Sequence, residues 1–268
     1  MLCRDGFHGW VPMLAGDKMD LYTALDIDLN KDELLCFVGA GGKTTAMFSL
    51  AKELRKHAKK VLVTTTTALF YPDEKDCNKV IVSSESDIII PSGITEGIII
   101  VCGREVTQEN KLLGVDKALI DKLYEEQKYN YILVEADGSK RRPIKAPAAH
   151  EPVIPGSTTR LIGVIGLDAL GKRIDEEYVH RPEMLCKVTG AKQGDVIGED
   201  VIARLIISPA GLFKAVPENC PKYLLLNKAE DRERKTAAMS IIERVKKDEA
   251  HISGFIVANL DDVSISIG

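Results

Sequence analysis

The residues most plainly able to do chemistry stand together at Gly39-Ala40-Gly41-Gly42-Lys43-Thr44-Thr45. Closely spaced glycines let backbone N–H groups turn toward an anion. A lysine at this spacing reaches terminal phosphates, and the hydroxyl after it ligates Mg²⁺. A helix beginning here adds the partial positive charge of its N-terminus. The combination suits the phosphates of a nucleoside triphosphate, ATP or GTP. The strict G-x-x-x-x-G-K-[ST] spacing asks for glycine where Phe37 stands, so the pattern is a shortened one.

A second candidate is Tyr131-Ile132-Leu133-Val134 followed by Glu135-Ala136-Asp137-Gly138. An apolar strand ending in acids brings carboxylates to a sheet edge, where they hold Mg²⁺ directly or through water. Glu135 and Asp137 are two apart and point the same way on a strand. One of them is the expected metal ligand and the other orients water. Thr65, within Thr64-Thr65-Thr66-Thr67, is a further hydroxyl candidate for metal or phosphate; the plainer reading is that threonine suits strands. Asn227-Lys228-Ala229-Glu230-Asp231 resembles a base-reading N-K-x-D loop with Glu230 in place of the acid. On that reading GTP is favoured over ATP. The competing reading is a common turn in which Asp231 caps the next helix.

Directly after the acidic strand end comes Ser139-Lys140-Arg141-Arg142-Pro143-Ile144-Lys145. Four cations beside a nucleotide suit an anionic second ligand, or charge developing in a transition state. A solvated surface run is the alternative. His150-Glu151 follows between prolines, and an imidazole there is a base, a ligand or a loop hydrogen-bond former. Lys43, Glu135, Asp137, Arg142 and His150 are the expected catalytic groups. His180-Arg181-Pro182-Glu183 is a second polar cluster with the same ambiguity.

These groups need elements to hold them. From Glu33 onward, short runs alternate with helical stretches: ELLCFVG, KVLVTTT, KVIVSS, GIIIVCG, YNYILVEA, RLIGVIGL, KYLLLNK and SGFIVANL. Several are apolar throughout, as strands covered on both faces are. Between them, Thr44 to His57 carries Met47, Leu50, Ala51 and Leu54 at the spacing of one buried helix face. Asp116 to Gln127 and Arg232 to Lys247 behave similarly. The expected fold is α/β, like a P-loop NTPase: a doubly wound, mostly parallel sheet with helices on both faces. Residues 1–18 read as an irregular N-terminal extension, and 19–268 as a single domain. Residues 139–157 form a basic, proline-rich loop within it, of the length that is often functional.

Bulk properties narrow the class. The 268 residues are 45% hydrophobic and 28% charged, which is ordinary for a globular protein. A formal net charge of −4 lacks the basic footprint of a nucleic-acid binder. The six cysteines contain no C-x-x-C pair and match neither a zinc ribbon nor a disulfide scaffold. No secretory signal opens the chain, and no apolar run approaches the ~20 residues of a membrane span. The expected location is cytoplasmic, with no membrane or nucleic-acid partner.

VGAGGKTT, the TTTT run and VEADGSKRRPIKAPAAHEPVIP together resemble the YqeC family, a P-loop accessory family associated with selenium-dependent molybdenum hydroxylases. The likeness runs from about Met19 to the end. It implies a role in maturing a molybdenum hydroxylase, or the molybdenum cofactor, as client. It also implies that Gly41, Gly42, Lys43, Thr44, Glu135 and Asp137 serve nucleotide and Mg²⁺, with Lys140, Arg142, Lys145, His150 and Glu151 forming a second segment. Glu135-x-x-Gly138 with Asn227-Lys228 is also similar to metallochaperone GTPases for nickel or cobalt, which suggests a hydrolytic switch. The GAGGKTT loop is similar to that of ATP-dependent amino-acid ligases of cell-wall synthesis, which suggests phosphoryl activation of a small anionic acceptor by a kinase or ligase. A non-catalytic nucleotide-binding scaffold is the third reading.

Overall fold

A computed structural model of the chain describes residues 19–83, 97–248, 251–260 and 264–267. The expected extension over residues 1–18 lies outside the described residues. In chain order the strands are β1 Glu33–Gly39, β2 Lys60–Thr65, β3 Ala68–Phe70, β4 Lys79–Val82, β5 Ile98–Gly103, β6 Glu105–Val106, β7 Lys111–Leu113, β8 Tyr131–Glu135, β9 Ile144–Lys145, β10 Arg160–Gly166, β11 Val179–His180, β12 Lys222–Asn227, β13 Gly254–Asn259 and β14 Ser264–Ile267. The helices are α1 Leu21–Ala24, α2 Lys43–Lys56, α3 Lys117–Glu125, α4 Pro182–Thr189, α5 Glu199–Ile207 and α6 Arg232–Lys247.

Among the described residues nine strands form one sheet in the order β14-β13-β12-β10-β1-β8-β2-β5-β4. All eight apolar runs read from the sequence lie in it. Every pairing is parallel except β13 with β14, at the edge. The inner strands are almost wholly apolar because both faces are covered. Leu34, Cys36 and Val38 of β1 join the residues of α3, α4, α5 and α6 in one apolar cluster. Leu35 and Phe37 join α1 and α2 in the other. The predicted face of α2 is the buried one: Met47, Leu50, Ala51 and Leu54 are each fully enclosed. Asp116 and Asp231 cap α3 and α6, accepting from the N–H of Ala118 and Arg234.

The chain reverses its direction of winding at β1, whose neighbours are β8 and β10. Ligands of open parallel sheets bind outside the carboxyl ends of the strands at such a switch point. Parallel register brings the ends of β1, β8, β10 and β12 to one edge: Phe37 pairs with Glu135, Gly39 with Val164, and Gly166 with Asn227. Two small sheets flank this edge, antiparallel β3-β7-β6 and parallel β9-β11. The proline-rich loop is therefore partly ordered as a strand. Among the described residues no helix is long and apolar enough to cross a membrane.

Candidate functional site

β1 ends at Gly39 and α2 begins at Lys43, so only Ala40, Gly41 and Gly42 separate strand from helix. This explains Phe37: it is still inside the strand, fully buried, and the loop starts two residues later than the strict pattern allows. Gly41 and Gly42 have φ of 81° and 128°. A Cβ on Gly41 would lie 2.1 Å from the Gly166 nitrogen, and one on Gly42 would lie 2.2 Å from Asn227 Nδ2. Both space and backbone demand glycine here.

The loop amides divide into two sets. Gly39 N–H donates to Asp137 Oδ2 at 3.1 Å, and Ala40 N–H donates to Val164 O at 2.9 Å. Both expected phosphate donors are thus engaged inside the protein. The first-turn amides of α2, those of Lys43, Thr44 and Thr45, have no acceptor within the helix, as at any helix N-terminus. They are the donors this loop offers to an anion.

Lys43 is buried and held on three sides. Its Nζ donates to Gly39 O at 2.5 Å and lies 3.1 Å from Asp137 Oδ1 and 3.8 Å from Glu135 Oε1. Burial works against the ammonium, but Asp137 and Glu135 overcome it and raise its pKa above the ordinary lysine value. Burial also raises Glu135, only partly offset by Lys43 and by the Thr44 hydroxyl, which donates to Glu135 Oε2 at 2.7 Å. Asp137 Oδ1 is buried and accepts no aligned hydrogen bond. Thr44, Glu135 and Asp137 therefore offer hard oxygen donors in one place, a set that fits Mg²⁺. Among the described residues no group of three or more His, Cys, Asp or Glu side chains is arranged to hold a metal. Mg²⁺ commonly takes one or two carboxylates plus substrate phosphates, which is what this set provides.

The threonine run departs from expectation. Thr64 donates to Cys102 O, Thr65 to Glu135 O at 2.8 Å, and Thr66 to Val153 O. Thr65 also bonds Thr67. Its hydroxyl fixes the end of β8 through a main-chain carbonyl and is not presented to a metal. Asn227 is buried and clamps the loop: Nδ2 donates to Gly41 O at 2.9 Å, while Oδ1 accepts from Leu260 N–H at 3.2 Å. Lys228 pairs with Asp168 at 2.6 Å. Glu230 is turned to Arg234 at 3.1 Å, and Asp231 caps α6, as the turn reading of this segment has it.

The basic loop is split by burial. Lys145 is buried, donating to Gly138 O and Glu151 Oε2, each at 2.8 Å, and lying 3.1 Å from Asp137 Oδ2. Glu151 also accepts from Arg181, the residue before α4. Burial alone would raise Glu151, but these two cations overcome it and hold the carboxyl down at about 2. Lys140 and Arg141 are exposed, Arg142 is half-buried, and His150 is exposed beside the inward-turned Glu151. His150 and Arg142 are not drawn into the Lys43 cluster. Two members of this edge escaped the sequence reading: Asp168, which carries a buried oxygen without a hydrogen bond, and Arg181 as a partner of Glu151. The signal for Asp168 was present, since it follows an apolar strand at the edge that also receives Asp137.

A glycine loop leading from a central parallel strand into a helix, with an acid-tipped strand beside it, defines a P-loop NTPase-like α/β protein. The chain belongs to the YqeC family: residues 35–183 match the model described as YqeC protein. It is 31% identical over 231 residues to "Uncharacterized protein YqeC" of Escherichia coli (strain K12), a match spanning 85% of this chain and 89% of that protein. Among solved structures, it aligns with FtsY from Mycoplasma mycoides at a TM-score of 0.33 and 12% identity. That alignment covers 89% of this chain and 55% of the FtsY chain.

Proposed function

We propose that this protein binds a nucleoside triphosphate with Mg²⁺ at Gly39–Thr45 and hydrolyses it, acting as an accessory factor in maturation of a selenium-dependent molybdenum hydroxylase or its cofactor. The observation that carries the nucleotide reading is the junction of buried Lys43, Glu135 and Asp137 with half-buried Thr44 at the start of α2. Lys43 and the first-turn amides hold the terminal phosphates. Thr44 with Asp137 or Glu135 holds the metal, and the other carboxylate orients water. Bound Mg²⁺ supplies charge neutralisation at the transferring phosphate. Asn227 keeps the loop in shape, with Lys228 and Glu230 as the base-side residues.

Fluorescent ATP and GTP analogues titrated with Mg²⁺ test this. Lys43→Ala is expected to weaken binding roughly a hundredfold by removing a charge-assisted contact. Thr44→Ala, which leaves every charge in place, is expected to remove the dependence on Mg²⁺. Phosphate release without any acceptor supports hydrolysis; turnover only with an added acceptor supports the ligase reading. Guanine preference fails if Glu230→Ala leaves the GTP-to-ATP ratio unchanged. The maturation half rests on the family resemblance. A molybdenum hydroxylase purified with equal selenium and molybdenum content from cells with and without this protein would remove it.

A further inference from the structure

Beside the first turn of α2 lies a cleft of about 500 Å³. Thr44, Thr45, Phe48, Phe70, Tyr71 and Arg141 are among the residues that line it. Its volume is that of a small-molecule site. Two features stand out. Phe70 is 45% exposed and Tyr71 38%, adjacent aromatic side chains left facing water. Arg141 stacks on Phe70, with Cζ 4.1 Å from the ring centroid, and among the described residues no carboxylate pairs with it. The other cations of the cleft are matched: Lys52 pairs with Asp76 at 2.6 Å and Lys75 with Asp73 at 3.4 Å. Lys140 and Arg141 both have left-handed backbones, with φ of 48° and 61°. They are the central pair of a turn closed by the Arg142 N–H, which donates to Ser139 O at 2.9 Å and fixes where Arg141 stands.

We propose that this cleft is the site of a second ligand, a small ring-bearing anion, and that Arg141 takes its charge while Phe70 and Tyr71 take its ring. Aromatic faces with one unmatched guanidinium recognise this combination and neither half of it alone. Because Thr44 and Thr45 belong to both sites, the ligand lies next to the proposed phosphates. The inference rests on the nucleotide reading only for that adjacency.

The test uses 2-naphthoate as probe, followed by fluorescence on the full chain. Acetate and 2-naphthalenemethanol serve as the ring-free and charge-free controls. The wild type is expected to bind naphthoate and to bind both controls far more weakly. Phe70→Ala and Arg141→Gln, both at exposed positions, are each expected to weaken naphthoate roughly tenfold. Equal naphthoate affinity in the wild type and both cleft variants overturns the proposal. So does displacement of naphthoate by Mg²⁺ with a non-hydrolysable nucleotide, since that places the probe in the nucleotide site. If nucleotide analogues fail to bind while the cleft variants still lose naphthoate, the nucleotide reading falls and the anion site stands.

Discussion

His180 lies near both Arg181 and Lys145. Burial first, then these two cations, push its imidazole down to about 4. A base depressed in the fold is protonated earlier in the unfolded chain. Its contribution is therefore nil above about pH 6.5, and it costs stability progressively from there down to about pH 4. Urea unfolding of His180→Asn across this range is expected to show a shallower loss than wild type. Glu151 acts in a lower window. Its depressed carboxyl gives stability that is full above about pH 4.5 and is lost as pH falls through about 2. Glu151→Gln takes the acid from Arg181 and leaves Lys145 with Asp137 alone, at a cost of about 3 kcal/mol at neutral pH, the low end for a broken buried pair. At this scale the sequence was a partial guide. Lys43, Glu135 and Asp137 were legible because each stands in a local pattern. Lys145 was legible only as a cation, since its burial depends on both Glu151 and Asp137 meeting it.

The elements were read more fully. Eight strands were visible, seven of them because a strand buried on both faces leaves an apolar run, and the edge strand β4 by its β-branched residues alone. The ninth, β14, carries alternating serines and isoleucines, is four residues long and pairs antiparallel at the edge, so no such run marks it. Helices α4 and α5, of eight and nine residues, were not among those read from the sequence. Coupling between elements was not legible at all: Asn227 joins the phosphate loop to β12 across 186 residues of sequence. Asn227→Ala would strand Gly41 O and Leu260 N–H in a buried place. It is expected to cost about 1–3 kcal/mol in unfolding free energy, and to weaken nucleotide binding although the side chain belongs to another strand.

Across the whole molecule, parallel strands bring the glycine loop, the acids of β8, Asp168 and Asn227 to one edge. A ligand bound there braces four strands together. Nucleotide with Mg²⁺ at about a hundred times its Kd is expected to add about 2.7 kcal/mol, a rise of roughly 5–10 °C in Tm. An unchanged melting curve at saturation would count against the site. The connected cluster of Lys43, Lys145 and Arg181 with Glu135, Asp137 and Glu151 has a further consequence. Its charges cancel, three against three, so the resting site is electroneutral. A triphosphate that draws the Lys43 ammonium away leaves the inner carboxylates short of one cation, and Mg²⁺ restores the balance. Metal and nucleotide should therefore each raise the other's affinity by the same factor, as reciprocal linkage requires. Either one offered alone should meet a site already satisfied with itself.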